Sequence, residues 1–344
     1  MRKVVVHSAG GYDKLRVEEH PDPAPGPGEV LIRVAAAGVN FADTAVRMGL
    51  YDSAKKYVGW PITPGFEVSG DVIAVGEGVS AWARGQRVIA VTRFGGYASR
   101  VVVAADQVFE CPDDLELAQS AGLPAVFLTA YYALFELCRL RRGDSLLVHS
   151  AAGGVGSAVL QLARHEGWRA VGVVGASAKV EAAKRMGATH VIDKSREDLW
   201  ARASELEPEG YDVVLDANGV STLRQSLAHT KEAGRLVVFG FASMMPHTGR
   251  PNWVRLGLDY LRTPRFNPFE LVGQNKSVMA FNLSYLFDKK ALLQETMGTL
   301  LGLVRSGALR TLDVLRFSVD RVADAHRAIE SGQTVGKLIL TFGE

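Results

Sequence analysis

The sequence predicts an α/β protein with two domains, one rich in β-strands and one built on a doubly wound parallel sheet. Residues 1–123 consist of short apolar runs cut by Gly and Pro at the spacing of a barrel or sandwich. Over residues 124–302, apolar runs alternate with amphipathic segments of helical length, which implies βαβ units. The tail, at about residues 303–344, has a strand–helix–strand pattern, and we expect it to complete the β-rich domain.

The individual elements follow from local patterns. In the first domain, strands are predicted in EVLIRVAAAGVN, FEVSGDVIAVG and QRVIAVTRFGGYASRVVV. The stretch LPAVFLTAYYALFELCRL has the length and the apolar stripe of a helix. In the second domain, helices separate the predicted strands SLLVHS, RAVGVVG, THVID, YDVVLDAN, RLVVFG and SVMAFNL.

Charge and cysteine content exclude several classes of protein. Hydrophobic residues make up 47% of the 344 residues, charged residues 22%, and the net charge is +2, which does not favour nucleic-acid binding. Cys111 and Cys138 form no CxxC pair, so a disulfide framework is excluded and a reducing compartment fits. No run approaches the roughly 18 consecutive apolar residues of a membrane span. We therefore expect a cytoplasmic protein without stable membrane insertion.

The most informative motif is SAAGGVGS, between the strand SLLVH and a helix. This is the context that a Rossmann-type dinucleotide loop requires, since the glycines let the backbone approach a pyrophosphate and the helix N-terminus favours anions. Against the pattern GxGxxG, the first glycine is replaced by Ala151, whereas Gly153 and Gly156 are present. The alternative is a merely tight strand-to-helix turn. We expect the cofactor to contact Gly153, Gly154 and Val155.

The end of the second strand of this domain predicts the choice of cofactor. An acidic residue there holds the ribose 2′-OH of NADH, whereas a 2′-phosphate requires a cation. Gly175, Ser177 and Lys179 supply space, a hydroxyl and a positive charge, and Lys194 follows the next strand. The alternative is that Lys179 is an ordinary solvated lysine of a first helical turn. These residues favour NADPH over NADH.

These residues carry a family resemblance that extends over nearly the whole chain. GVNFADTAVRMGLY, PGFEVSGDVIAVGEGVSAWARGQRV, SAAGGVG and VGKLIL resemble segments of the medium-chain dehydrogenase/reductase superfamily, in its zinc-free quinone oxidoreductase branch with ζ-crystallin. GLYD, LVHSAAGGVG and the long segment after FGFA are most similar to the vesicle amine transport protein and its bacterial relatives. The resemblance implies a GroES-like catalytic domain split around a Rossmann domain, with the nicotinamide in the cleft between them.

The resemblance also implies a site without a metal ion. Zinc-dependent members place a Cys where this chain has Asn40 and a His where it has Phe66, and they carry a cysteine-rich lobe that this chain lacks. Cys111 and Cys138 have no partners at ligand spacing. Glu67 survives from the zinc motif, and we expect it to be a buried, hydrogen-bonded carboxylate.

By resemblance, Asn40 and Tyr51 face the nicotinamide and the substrate carbonyl as catalytic and cofactor-binding residues. An amide and a phenol suit this role because both donate hydrogen bonds to developing oxyanion charge without titrating near neutrality. Asp43 is expected to cap or orient the short helix after Asn40. Phe239 is either a cofactor contact or plain core. The cofactor-contact positions carried over from the family are Thr129, Asn218, Phe239, Gly240, Phe281 and Leu283.

The predicted function is metal-free, NADPH-dependent transfer of hydride to a quinone or an α,β-unsaturated carbonyl. Two alternatives stay open: an enoyl-thioester reductase on the same scaffold, and a lipid-binding or transfer protein that keeps NADPH as a structural ligand. We expect a homodimer formed through the edge strand SVMAFNL.

The long segment at residues 242–276 is too apolar for a simple connection. It predicts a short helix over NWVRLGLDYL, with aromatic and arginine residues interleaved. We favour a lid over the substrate or a dimer contact for this segment. Peripheral contact with an anionic membrane is the alternative.

Overall fold

The computed structural model describes residues 1–245 and 249–343, which form two compact units. The β-rich unit holds residues 1–128, 249–251 and 283–343, and the parallel-sheet unit holds the remaining described residues. The strands are β1 (Arg2–Val5), β2 (Arg16–Glu19), β3 (Glu29–Val39), β4 (Glu67–Val75), β5 (Arg87–Val91), β6 (Arg100–Ala104), β7 (Val108–Glu110), β8 (Ser145–Val148), β9 (Arg169–Val174), β10 (His190–Asp193), β11 (Tyr211–Asp216), β12 (Thr230–Val238), β13 (Ser277–Ala280), β14 (Val314–Ser318) and β15 (Lys337–Thr341).

The helices lie mainly between the strands of the parallel-sheet unit and at the tail. They are α1 (Phe41–Arg47), α2 (Asp52–Tyr57), α3 (Leu117–Ser120), α4 (Pro124–Tyr131), α5 (Gly154–Glu166), α6 (Val180–Met186), α7 (Leu199–Leu206), α8 (Leu223–Ala228), α9 (Trp253–Arg262), α10 (Pro268–Gly273), α11 (Lys290–Arg305) and α12 (Val322–Glu330). Helix α4 continues as a π-helix over Tyr132–Cys138. The run Leu117–Cys138 is long and apolar enough to cross a membrane by composition, yet 72% of its most apolar window is buried, as in a core helix.

The β-rich unit is a largely antiparallel sheet in the order β14-β15-β3-β4-β5-β7, with β6 also paired to β3. Its core is rich in valine, and β3, β4 and β5 contribute valines from alternate positions because successive side chains of a strand point to opposite faces. The last strand, β15, pairs antiparallel with β3, with Leu338 opposite Val39. The tail therefore supplies β14 and β15 to this sheet.

The second unit is a six-stranded parallel sheet in the order β10-β9-β8-β11-β12-β13. Numbered from β8, this is the strand order 3-2-1-4-5-6 of a dinucleotide-binding fold, and the order reverses between β8 and β11. Ligands of such sheets bind outside the carboxyl ends of the strands at this reversal. The predicted fold class is confirmed, and β13 is the edge strand that was expected.

The unit boundaries differ from the predicted limits, which were 123/124 and 302/303. The chain divides after Leu128 and after Asn282, so α11 belongs to the β-rich unit. Helix α11 contacts the β-rich unit at both ends: Lys290 Nζ lies 2.6 Å from Asp106 Oδ2, and Arg305 Nη2 lies 2.8 Å from Glu110 Oε2.

Helices α9 and α10 form most of the long segment at residues 242–276, of which 246–248 lie outside the described residues. Asn252 caps α9 by accepting a hydrogen bond from the Arg255 N–H, at 3.0 Å. Helix α9 has ten residues and is followed by a second helix, α10. The segment therefore contains two helices, whereas the sequence predicted one. Both helices expose large apolar side chains, which we call the apolar face: Trp253, Val254, Leu258, Tyr260, Leu261, Phe269 and Val272.

Candidate functional site

The glycine-rich turn after β8 is shaped for close approach of a ligand to the backbone. Gly153 is the N-cap of α5, and its N–H donates to Ser150 O at 2.9 Å. A Cβ on Gly156 would lie 2.5 Å from Ser150 O, so only glycine fits there. The first turn of α5, with Gly154 and Val155, carries N–H groups without intrahelical partners. The turn therefore fits the pyrophosphate that the sequence predicted.

The alanine in place of the first glycine is accommodated by the neighbouring strand. A Cβ placed on Gly172, in β9, would lie 2.9 Å from the Ala151 Cβ. Glycine at position 172 leaves the space that the Ala151 methyl group fills, and Ala151 is fully buried. The departure from GxGxxG is thus compensated within the fold.

The residues predicted to bind a 2′-phosphate come together at the ends of β9 and β10. These two strands are parallel, with Asp193 opposite Val174, so Gly175 and Lys194 follow side by side. A Cβ on Gly175 would lie 3.5 Å from Lys194 Cε. The pKa of Lys179 is lowered by burial and by the positive charge of Lys194. Two ammonium groups close enough to repel each other would be stabilised by a bound dianion.

Asp193 and Arg196, which the sequence analysis missed, also lie at the ends of β9 and β10, a region that we call the corner. Ser177 Oγ donates to Asp193 Oδ2 at 2.5 Å, and Arg196 Nε donates to Ser177 Oγ at 3.3 Å. Hydrogen bonds from Ser177 and Ser195 lower the pKa of Asp193. The Ser177 hydroxyl proton is thus directed to a carboxylate, and the cation that adjoins it is Arg196. The tetrapeptide DKSR after the third strand was the only sequence signal for this arrangement.

Other predicted cofactor contacts lie at the carboxyl ends of β11 and β12. Asn218 Oδ1 accepts a hydrogen bond from Ser150 Oγ at 3.2 Å, which joins the end of β11 to the phosphate turn. The Asn218 N–H donates to Asp216 Oδ1 at 2.8 Å. A Cβ on Gly240 would lie 2.8 Å from Ala217 O, so this position requires a bare backbone.

The predicted aromatic contacts are half-buried and pack on one another. The Phe239 and Phe281 rings lie 6.4 Å apart between centroids, and Phe281 lies 4.9 Å from Tyr132. Thr129 belongs to the same unit, on α4, whereas Leu283 belongs to the β-rich unit. The structure therefore brings Phe239 and Phe281 together and assigns Leu283 to a different unit.

His149, just before the phosphate turn, is part of a buried network. Its Nε2 lies 3.1 Å from Ser226 Oγ, which donates to Asp216 Oδ2 at 2.7 Å. Burial lowers the pKa of His149 to about 4, although the Asp216 carboxylate opposes this shift. His149 is packed and neutral near neutrality, in agreement with the expectation that it is structural.

The β-rich unit carries a second candidate site around Asn40, at the end of β3. Asn40 Nδ2 donates to Glu67 Oε1 at 2.9 Å, and Lys337 Nζ donates to Asn40 Oδ1 at 2.5 Å. Lys337 Nζ also lies 2.7 Å from Glu67 Oε1, and the Ala125 N–H donates to Glu67 Oε2 at 2.6 Å. Glu67 is completely buried. The expectation of a buried, hydrogen-bonded carboxylate is confirmed, and Lys337 is a residue that the sequence analysis missed.

Asp43 fixes the start of the helix that follows Asn40. Its carboxylate accepts hydrogen bonds from the Asn40 and Gly65 N–H groups and from the Tyr97 hydroxyl, at 2.8, 2.9 and 2.9 Å. Burial raises the pKa of Asp43 to about 6, and these hydrogen bonds oppose the rise. The predicted role in orienting the helix is confirmed.

Tyr51 begins helix α2 and packs in an aromatic cluster. Its ring lies edge-on to Phe66 and Phe94, at centroid distances of 5.8 and 6.4 Å. Helix α2 is held by the hydrogen bond from Ser284 Oγ to Ser53 Oγ, at 2.7 Å. The ring of Tyr51 is therefore fixed by its neighbours and not by a loose loop.

Helix α1 ends in a buried arginine with several partners. Arg47 Nη2 lies 2.9 Å from Glu330 Oε1 and donates to Gly249 O at 3.0 Å, and Arg47 Nη1 lies 3.1 Å from His326 Nδ1. Both Arg47 and Glu330 are buried. Tyr12 donates to the other oxygen of Glu330 at 2.6 Å. This network holds α1, and with it Asn40, against α12.

The residues at the zinc-ligand positions of the family offer no ligand set. Phe66 is buried in the aromatic cluster, and the Asn40 amide is engaged by Glu67 and Lys337. Within residues 1–245 and 249–343, no group of three His, Cys, Asp or Glu side chains is placed to hold a metal ion.

Comparison with known proteins supports the two-unit division. Residues 26–113 match the family described as alcohol dehydrogenase GroES-like domain, and residues 154–297 match the family described as zinc-binding dehydrogenase. The chain is 36% identical to the synaptic vesicle membrane protein VAT-1 homolog of Rattus norvegicus, over all of this chain and 84% of the relative. It is 32% identical to 2-haloacrylate reductase of a Burkholderia species (98% and 97% covered) and to quinone oxidoreductase of Pseudomonas aeruginosa (98% and 99%).

Solved structures show the same fold over the whole chain. The human VAT-1 homolog-like protein superposes with a TM-score of 0.85 at 32% identity, covering 100% of this chain and 98% of that one. The quinone oxidoreductase of Escherichia coli, complexed with NADPH, gives 0.86 at 28% identity, with 99% and 100% covered. The enoyl reductase CurK gives 0.84 at 27% identity, with 99% of each chain covered. The chain therefore belongs to the medium-chain dehydrogenase/reductase superfamily, in the zinc-free quinone oxidoreductase branch that also contains the VAT-1 homologues.

Proposed function

We propose that the protein is an NADPH-dependent reductase that transfers hydride to a quinone or an α,β-unsaturated carbonyl. The observation that carries the proposal is the corner beside the phosphate turn, where Lys194 adjoins Gly175 and lies close enough to Lys179 to lower its pKa. A 2′-phosphate distinguishes NADPH from NADH, and the carboxylate of this corner, Asp193, is engaged by Ser177 and Ser195. The E. coli relative, solved with NADPH, supports the same cofactor.

In the proposed reaction NADPH, when bound, supplies the hydride. The residues of the chain are proposed to bind the cofactor and the acceptor and to polarise the carbonyl group of the acceptor. Asn40 and Tyr51 are proposed to donate hydrogen bonds to the acceptor oxygen on which negative charge develops. Thr129, Phe239, Gly240, Phe281 and Leu283 are proposed to hold the nicotinamide half of the cofactor.

The reaction is proposed to need no metal ion. Phe66 has no ligand atom, and the Asn40 amide is already bonded on both sides. An amide and a phenol then take over the polarising role that Zn²⁺ has in alcohol dehydrogenases. We also propose a cytoplasmic homodimer, joined through β13, which is an edge strand of the parallel sheet in the part of the chain that the structure describes.

Two other functions have some support. The similarity to the enoyl reductase CurK and to 2-haloacrylate reductase favours reduction of a carbon–carbon double bond next to a carbonyl, as a thioester or an acid. The apolar face of α9 and α10 favours lipid binding, with NADPH as a structural ligand. We rank both below the quinone or enone reductase, and we propose that the segment at 242–276 covers the acceptor or a second copy of the chain.

The test is steady-state oxidation of NADPH by the purified protein with a panel of quinones, enones, enoyl thioesters and 2-haloacrylate. The proposal predicts turnover with quinones or enones that chelators leave unchanged and that NADH supports at least tenfold less well. Turnover confined to thioesters would favour the enoyl reductase. NADPH binding without turnover, together with co-purifying lipid, would favour the lipid-binding function and overturn the proposal.

A further inference from the structure

The Asn40 amide is flanked by a buried ion pair for which the backbone makes room. Lys337 and Glu67 are 3% and 0% exposed. A Cβ on Gly38 would lie 2.2 Å from Glu67 Oε1, and a Cβ on Gly122 would lie 2.7 Å from Lys337 Cγ. Two bare backbone positions thus create the space in which a lysine and a glutamate meet Asn40.

A buried ion pair is not explained by stability alone. Removing two charges from water costs several kcal/mol, and apolar side chains of similar volume often replace such a pair without loss. The strand β15 around Lys337 is otherwise apolar, with Leu338, Ile339 and Leu340 buried. A lysine at this position therefore calls for a role beyond packing.

The geometry gives that role through the asymmetry of the amide. An ammonium group only donates hydrogen bonds, and an ionised carboxylate only accepts them. The orientation observed places the amide oxygen on Lys337 and the amide nitrogen on Glu67, at 2.5 and 2.9 Å. The flipped amide would place donor against donor and acceptor against acceptor. The ion pair therefore permits one orientation of Asn40.

That orientation decides what Asn40 offers to a ligand. The amide nitrogen has two N–H groups, and in the described part of the chain Glu67 accepts one of them. The second N–H is left to donate to a further acceptor, and the amide oxygen is turned towards Lys337. An acceptor carbonyl on which negative charge develops requires a donor in this place.

We propose that Lys337 is a positioning residue that acts through Asn40: it holds the amide oxygen so that Asn40 presents an N–H group to the carbonyl of the acceptor. The inference rests on the proposed function, since it assigns Asn40 to the acceptor. Lys337 itself is not assigned a contact with substrate or cofactor. Glu67 is a second positioning residue, because it accepts a hydrogen bond from the amide nitrogen of Asn40.

The kinetic test compares Lys337→Met in the natural chain and in Asn40→Ala. Losing one donor to an oxyanion typically costs 10²–10³-fold in kcat, and misorienting it is expected to cost about 10–100-fold. We expect Lys337→Met to lower kcat by about this factor, with the NADPH Kd changed by less than about threefold. In the Asn40→Ala background the same substitution should change kcat by less than about twofold. Factors that multiply in the two backgrounds would show that Lys337 acts independently of Asn40.

Folding and charge are controlled by further variants. Glu67→Gln combined with Lys337→Met leaves no unpaired buried charge but no longer specifies the amide orientation, so kcat should stay low. Lys337→Arg keeps the donor, and we expect it to recover part of the activity. Lys290→Met is the matched control, since it removes a lysine ion pair of 2.6 Å at the surface and should leave kcat unchanged.

A direct readout of the amide keeps the inference separate from the proposed activity. The side-chain NH₂ signal of Asn40 is assigned in the ¹H–¹⁵N spectrum by its absence in Asn40→Ala. Lys337→Met, or the double variant if the single one does not fold, should shift or broaden this signal, and Lys290→Met should not. An unshifted signal overturns the inference even if the enzyme turns over. A shifted signal in a protein that oxidises no NADPH supports the positioning and refutes only the proposed function.

Discussion

The corner and the Asn40 cluster differ in the burial of their charged groups. At the corner, Lys194 and Arg196 are exposed and Lys179 is half-buried, so positive charge accumulates beside a glycine. Around Asn40, Lys337 and Glu67 are buried and neutralise each other across one amide. At the corner, two cations lie close enough to repel each other, whereas in the cluster two opposite charges fix the orientation of a neutral amide.

The difference teaches what each region can contribute. Exposed cations give affinity and discrimination between ligands of different charge, and they contribute little to stability. Buried, mutually bonded groups give a fixed geometry, and removing one partner leaves another unpaired in a dry place. Substitutions at the corner should therefore alter binding, and substitutions in the β-rich unit should alter stability or turnover.

The largest effect is expected for the buried arginine that supports the Asn40 helix. Arg47→Met leaves Glu330 without its ion-pair partner, and we expect it to lower the free energy of unfolding by about 3–5 kcal/mol. Arg196→Met, at the exposed corner, should stay within about 0.5 kcal/mol. Urea unfolding measures both. Equal small losses for the two variants would break the contrast between the regions.

A smaller loss, in turnover, is expected at Tyr51. Tyr51→Phe keeps the packing on Phe66 and Phe94 but removes the hydroxyl donor, so kcat should fall about 10–100-fold, while the NADPH Kd changes little. Tyr57→Phe, on the same helix, is the matched control. Unchanged kcat on every accepted substrate would reduce Tyr51 to a packing residue.

Cofactor discrimination should respond to the corner alone. Lys179→Ala should weaken NADPH binding about tenfold, or about 1.4 kcal/mol, and NADH binding by less than about twofold, because only NADPH carries the 2′-phosphate. Lys184→Ala, whose lysine pairs with Glu181 on helix α6, is the control. Equal losses for both cofactors would show that Lys179 does not contact that phosphate.

The smallest effect is a pH dependence of stability from His149. Its folded pKa is lowered to about 4 by burial, so the unfolded chain binds more protons as the pH falls below neutrality. Between about pH 7 and about pH 6, the free energy of unfolding of the natural protein should fall by up to about 1 kcal/mol relative to that of His149→Gln. If urea unfolding shows the same pH dependence of stability for the two proteins over this range, His149 is not held neutral in the folded state.

The fold and the phosphate turn were predictable because their signals are local. Gly153 and Gly156 stand between a strand and a helix, and each parallel strand is an uninterrupted apolar run. The proximity of Lys179 and Lys194 was also predictable, since both residues follow strands whose carboxyl ends meet at one edge of the sheet.

Other parts of the site depend on pairing between distant segments. Lys337 reaches Asn40 because β15 pairs with β3 almost 300 residues away in sequence, with Leu338 opposite Val39. Asp193 reaches Ser177 through the register of β10 on β9. Only a charged residue at the start of the apolar run KLIL hinted at the first of these, and no local pattern specifies which partner a strand takes.

The central claim is that this chain transfers hydride from NADPH to a carbonyl-bearing acceptor. The most direct measurement uses NADPH with deuterium at the transferable position of the nicotinamide and analyses the reduced acceptor by mass spectrometry. For an enone, the account predicts one deuterium on the carbon that accepts the hydride, formed only with the cofactor that carries the 2′-phosphate or much faster with it. For a quinone, the hydroxyl deuterium of the product exchanges with water, so the account predicts that the oxidised cofactor has lost its deuterium while hydroquinone forms. Bound NADPH that keeps its deuterium with every quinone and enone would contradict the account.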